Sequence, residues 1–132
     1  MSAGTAVEPA VAREAVERHR ALFNAADRAG WLANFVEEPF LEEPVGSPVR
    51  HGREHFGAVL DALAAHGVRA TIEPPEVLVV NGAEAAAHLR VCSVAGGVES
   101  WTSVVEIFTV APDGRVAGIR AFVEPEALAA IA

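Results

Sequence analysis

Three side chains in this sequence are of the type that moves protons, and each stands in surroundings that would tune it. Glu43 immediately precedes Pro44, and a residue before proline is driven to extended backbone, so Glu43 sits on a held segment. Strand alternation places Glu43 on the face of Leu41, opposite Phe40 and Glu42. If Leu41 faces an interior, the Glu43 carboxyl goes with it, and burial raises its pKa towards that of a working base. Otherwise Glu42 and Glu43 are two solvated acids at a strand end. Glu106 stands among Val104, Val105, Ile107 and Phe108, where a carboxyl is costly unless protonated or paired; a sheet with one wet face would expose it instead. His19 falls on an apolar helical stripe, one turn from Ala15 and Phe23. It is either a hydrogen-bonded core histidine or a group aimed into a site. Two acids held in different environments are what general acid–base catalysis requires.

Other candidates offer less. His51 and His55 are four apart, but Gly52 and a helix start separate them and no third ligand is evident. His88 alternates with Ala86 and Arg90 and reads as structural or solvent-facing. Glu73 and Glu76 flank Pro74-Pro75, within reach of a pocket mouth or on the surface. Cys92 is the only cysteine, which excludes an internal disulfide and a cysteine metal cage, and its apolar strand setting suits a small packing residue. All ten basic residues are Arg, so lysine Schiff-base chemistry is closed, and Tyr is absent. The formal charge of −8 argues against nucleic acid. There is no G-x-S-x-G, Walker or G-x-G-x-x-G motif. Nothing calls for a metal, nucleotide or flavin cofactor.

The elements that must position these groups follow from periodicity. Val7, Val11, Ala15, His19, Leu22, Phe23 and Ala26 recur at helical steps. Asp27 can cap a short second helix with Trp31, Leu32 and Phe35 as its apolar members, and Pro39 ends helical structure. Phe40 to Glu43 is a short strand, with Val45-Gly46-Ser47-Pro48 as a turn. A third helix runs from about Arg53 to His66 with Phe56, Val59, Leu60 and Leu63 on its apolar face, and Gly67 ends it. The period then changes. Ala70 to Val80, Ala85 to Val94, Val98 to Val110 and Arg115 to Val123 read as four antiparallel strands, joined through Asn81-Gly82, Gly96-Gly97 and Pro112-Asp113-Gly114. Glu73-Pro74-Pro75 inside the first implies a bulge or bend, hence a strongly curved sheet. Pro125 to Ala132 is a final helical turn or a frayed end.

Helices first and a meander after them is an α+β order. At 132 residues, 52% of them hydrophobic, the chain makes a single domain, 1–132, with a real core. No apolar run approaches the roughly 18 residues of a membrane span. Met1 to Val7 carries no basic n-region, so a cytoplasmic protein is expected.

The stretch Asn24-Ala-Ala-Asp27, then Trp31-Leu-Ala-Asn-Phe35, then Leu41-Glu-Glu-Pro-Val-Gly-Ser47 resembles the ketosteroid-isomerase (SnoaL-like) branch of the nuclear transport factor 2-like superfamily. The resemblance runs to about Glu124. It implies a cone-like α+β fold, with three N-terminal helices packed on a strongly curved antiparallel sheet. In that branch the Asp before the Pro-Val/Ile-Gly turn is the general base, and a Tyr on the first helix and a protonated Asp on the third long strand form the oxyanion hole. The matching residues here are Glu43, His19 and Glu106, each a departure in type. The resemblance thus implies three readings. The first is a proton-transfer isomerase of an apolar cyclic ketone, steroid or polyketide-like, with Glu43 as base and with His19 and protonated Glu106 as donors. Its pocket would be lined by Leu22, Phe35, Phe56, Val104 and Phe108. The second is an epoxide-opening hydrolase or cyclase with paired carboxylates, Glu43 with Glu106 or Glu73, which needs no phenol. The third is a non-catalytic binder of small molecules. A homodimer through the outer sheet face is also implied, with Val91 and Trp101 compatible with it.

Overall fold

The computed structural model describes residues 7–129. The expectations about the first six residues and the last three lie outside it. Helix α1 (Pro9–Asn24) starts on Pro9, whose missing N–H costs nothing at a helix start, and buries Ala12, Ala15, Val16 and His19. That stripe is shorter than expected: Val7 is buried but precedes the helix, and Ala26 lies beyond it, exposed, with φ 55°. Asp27 caps α2 (Arg28–Ala33) as its position predicts, accepting the Gly30 N–H at 2.9 Å. Asn24 fastens the end of α1 to the sheet by imitating a strand. Its Nδ2 donates to the Ile72 carbonyl and its Oδ1 accepts the Ile72 N–H, both at 2.8 Å.

Strand β1 (Phe35–Glu42) begins at Phe35 rather than Phe40. Pro39 sits inside it because the register against the neighbouring strand shifts between Phe35 and Phe40, a bulge that removes the need for a donor there. A two-residue strand β2 (Arg50–His51) precedes α3 (Arg53–Ala65). Arg53 anchors the start of α3 to β1, donating to the Phe35 and Val36 carbonyls at 2.6 and 3.0 Å. The double proline divides the first long strand into β3 (Val68–Ile72) and β4 (Val77–Asn81), and both pair in turn with β5 (Glu84–Ala95). Strands β6 (Val98–Val110) and β7 (Val116–Phe122) follow, and the short helix α4 (Pro125–Ala129) is the final turn.

The sheet order is β2-β1-β7-β6-β5-β3, with β4 also on β5. Its pairs are antiparallel except β1 with β7, which run parallel. The expected all-antiparallel sheet is corrected there, because β1 and β7 are joined by most of the chain and not by a hairpin. The helices pack on the inner face of this curved, unclosed sheet over Phe35, Phe108, Leu89, Val16, Val110 and Val116, which are fully buried. Face assignments follow from register. Val91 pairs with Thr102 and faces inward, so it does not belong to an outer surface as expected. Trp101 pairs with Cys92 and faces outward, 43% exposed, with the Arg90 guanidinium 4.6 Å from its ring centre. Cys92 is therefore a half-buried outer-face residue and not a core one. Among the described residues no helix is long and apolar enough to cross a membrane.

Candidate active site

Between the inner sheet face, α1 and α3 lies a cavity of about 380 Å³, the size of a small-molecule site. Its apolar walls come from Phe23, Trp31 and Leu41, from Phe56, Val59 and Leu63 of α3, and from Ile72, Leu89, Val91, Val104 and Ile119 of the sheet. Into them project His19, Glu43 and Glu106, the three residues singled out from sequence.

Strand register brings the two acids together. Leu41 is level with Ile119 and Glu42 with Arg120, so one residue on Glu43 is level with Ala121. The Val45 N–H to Ala121 carbonyl bond of 2.8 Å holds the following turn against β7. Ala121 in turn pairs with Glu106, and Glu106 with Ala87 on the other side. One row across the sheet therefore reads Glu43, Ala121, Glu106, Ala87. Glu43 and Glu106 lie two strand spacings apart, about 10 Å between backbones. Both alanines are fully buried, and their small side chains leave room for the carboxyls to lean together.

Neither acid has a hydrogen-bonding or ionic partner among the described residues. Burial is the main cause that raises the Glu106 pKa to about 8, and the Glu43 charge adds to it. Burial alone raises that of Glu43. By surface area both are only half-buried. That fits carboxyls set deep in the molecule with their tips open to the cavity. Near pH 7 Glu106 is neutral and can donate a proton, while Glu43 is the acid more readily ionised.

His19 is 3% exposed, and burial lowers its pKa to about 3, so it is neutral throughout the physiological range. Its ring contacts Phe108, Trp31 and Phe35 at centroid distances of 5.0, 5.5 and 5.9 Å. Phe108 is two residues from Glu106 on the same strand face, and His19 and Glu106 both line the cavity. His19 Nδ1 and Trp31 Nε1 are both buried without a partner, an arrangement costly enough to need a reason.

The five residues expected as lining divide between the cavity and the layer behind it. Phe56 and Val104 line the cavity. Phe35 and Phe108 do not. They are fully buried in the aromatic layer behind it, where Phe35 meets Phe56 at 4.0 Å and Phe108 meets His19. Leu22 packs against the core, and Phe23, its neighbour on the same apolar stripe, lines the cavity instead. Glu73, the alternative second acid, does not line the cavity. His51 pairs with Phe40 on the outer face of β1, away from His55, so the two histidines do not converge.

Sequence reasoning missed Arg50, Ser93 and Thr102 and read Trp31 and His55 differently, yet all five line the cavity. Thr102 was recoverable by parity, being two residues from Val104 and four from Glu106. Arg50 was not, because nothing in the sequence marked the two-residue strand that aims it.

A SnoaL-like domain model matches residues 16–119. An epoxide hydrolase/cyclase-like enzyme, SalBIII, described in pyran ring formation in the polyether salinomycin, is 25% identical with a TM-score of 0.75, covering 87% of this chain and 92% of its own. The Mycobacterium tuberculosis protein RV0760c is 25% identical with a TM-score of 0.77, covering 91% and 96%. A protein assigned as a polyketide cyclase, from Xanthomonas campestris pv. campestris, is 20% identical with a TM-score of 0.78, covering 94% and 98%, and supports the fold. No protein of curated function matches the sequence. With most of its length matched by the domain model, the chain belongs to the SnoaL-like domain family.

Proposed function

We propose that this protein is an acid–base enzyme that opens an epoxide on an apolar, polyketide-like substrate and closes a ring by attack of the substrate's own hydroxyl. The observation that carries this reading is the row Glu43, Ala121, Glu106: two unpartnered acids flanking a small residue, one of them neutral at pH 7. Glu43 takes the proton of the attacking hydroxyl as its oxygen bonds to an epoxide carbon. The C–O bond of the epoxide breaks, and its oxygen takes the proton of Glu106. The substrate is rearranged with no atom gained or lost, and the proton returns from Glu43 to Glu106 through the open cavity. No phenol is needed, which suits a chain without Tyr. The resemblance to SalBIII supports the same chemistry.

His19 favours a second reading, isomerisation of an unsaturated cyclic ketone. A neutral imidazole in the same cavity as a protonated carboxyl supplies two donors to one enolate oxygen, with Glu43 as the base that moves the proton.

Two substrates separate the readings: an apolar γ,δ-epoxy alcohol, with ring closure followed by NMR, and a β,γ-unsaturated 3-ketosteroid, whose conjugated product absorbs in the ultraviolet. Cyclisation is expected, and Glu43→Gln and Glu106→Gln should each reduce it by about 10²–10⁴-fold. Isomerisation of the ketone with the epoxide untouched would establish the second reading. Binding of both with turnover of neither would leave a binding protein.

A further inference from the structure

The cavity carries one permanent cation, and the chemistry proposed above does not use it. Arg50 is the residue of β2 paired with Leu41. Paired residues share a face, and Glu43 lies two residues on from Leu41, so Arg50 stands diagonally across from Glu43. Cross-strand diagonal neighbours are about 7–8 Å apart at the backbone. Arg50 lines the cavity yet is solvent-exposed, which places it at the opening. No carboxylate lies within ion-pair distance of it among the described residues. Of the other arginines, Arg20, Arg28, Arg90, Arg115 and Arg120 are each paired with an acid. Arg18 and Arg53 bond to oxygens of Asn34 and Gly114 and of Phe35 and Val36, and Arg13 and Arg69 do not line the cavity, so Arg50 is the arginine that faces the acid-bearing pocket among the described residues. His55, half-buried on the first turn of α3, lines the same cavity; its Nε2 is 3.7 Å from Glu54.

We infer that the ligand of this cavity is an amphipathic acid, with its apolar body among the α3 and sheet side chains and its carboxylate on Arg50, assisted by His55. An anionic ligand entering a cavity that holds Glu43 meets repulsion unless a cation stands nearer to its charge than Glu43 does. Arg50 is in that place, and its planar fork takes a carboxylate through two parallel bonds. The neutral state of Glu106 removes the second source of repulsion. The ligand is then oriented: the charged end stays at the opening, and the carbon framework runs inward past Glu43 to Glu106 and His19. This inference rests on the reading of the cavity as a substrate site and names the class of that substrate.

The test is binding alone, so it does not depend on which reaction is catalysed. 2-Naphthylacetic acid and its methyl ester are titrated by calorimetry into the wild-type protein and Arg50→Gln at pH 7, in low and in 0.5 M salt. The acid is expected to bind wild type about fivefold or more tighter than the ester. Arg50→Gln should abolish that preference by weakening the acid and leaving the ester unchanged. Salt should shrink the preference in wild type only. Equal affinity of wild type for acid and ester overturns the inference and leaves the cavity reading intact. So does an Arg50→Gln variant that weakens both ligands alike. Failure of wild type to bind either ligand overturns both.

Discussion

Glu42 and Glu43 are adjacent in sequence and opposite in surroundings. The Glu42 carboxylate accepts the Gly46 N–H at 2.7 Å and Arg120 Nε at 2.9 Å, and these donors hold its pKa below the usual range. Glu43 faces the other way, has no donor, and is pushed upward by burial. The contrast extends across the molecule. Asp113 and Glu17, held by Arg115 and Arg20, are lowered, while Glu106 on the cavity wall is raised. Acids that fasten the surface are given donors that stabilise their charge. The two acids of the cavity are left without donors, so one can give a proton to a ligand and the other can take one.

The sharpest way to break this contrast is to disturb the row that holds the two free acids. Ala121→Leu puts a branched side chain between Glu43 and Glu106, where Ala121 is fully buried. Overpacking of this kind costs about 1–3 kcal/mol, so the variant should fold. Displacing the carboxyls by about 1 Å should cost on the order of 100-fold in turnover. Ala121→Gly, which opens the gap without filling it, should lose far less. Turnover within a few-fold of wild type in a folded Ala121→Leu protein would mean that the acids do not act across that gap.

A smaller effect sharpens the contrast through stability. The folded chain keeps the Glu106 proton up to about pH 8, whereas a glutamate in the unfolded chain gives it up near 4.5. A raised folded pKa contributes stability that is fully present below the unfolded value and is lost as pH rises through the folded one. Wild type should therefore lose stability relative to Glu106→Gln between about pH 4.5 and 8. The cavity admits water to the carboxyl, so the loss should be about 2–3 kcal/mol, below the full value of the shift. Melting curves at pH 5 and pH 8.5 should show the gap between variant and wild type widening by roughly 5–10 °C. A constant gap would show Glu106 ionised in both states and unable to serve as the acid.

What was legible in the sequence divides along the same line. Strand parity alone placed Glu43 with Leu41 and Glu106 inside an apolar strand, because period two is set by backbone geometry and survives curvature. The strands β5 to β7 were legible because Asn81-Gly82, Gly96-Gly97 and Asp113-Gly114 mark their turns. Helical phase was less secure. Leu22 and Phe23 share one stripe, and only Phe23 reaches the cavity, because apolar residues near a cavity are equally at home behind its wall, as Phe35 and Phe108 show. Least legible was Arg50, whose aim depends on a long-range pairing with Leu41 that no local pattern announces. The parallel β1–β7 contact was invisible for the same reason. It is this contact that sets Glu43 level with Glu106.

The smallest expected effect concerns the paired acid itself. Glu42 grips the turn after Glu43 at one end through the Gly46 N–H and β7 at the other through Arg120, so it acts as a positioning residue for its neighbour. Glu42→Gln keeps the shape and can still accept one of those bonds, and should lower kcat about twofold with KM unchanged. Glu42→Ala removes both contacts and frees the turn, and should lower kcat about tenfold, again with KM little altered, because the cavity walls that bind the apolar body are untouched. A purely structural role would lower the melting temperature of both variants without this split between kcat and KM. If Glu42→Ala keeps full kcat, the Val45–Ala121 backbone bond suffices to aim Glu43, and the donors around Glu42 serve only the surface.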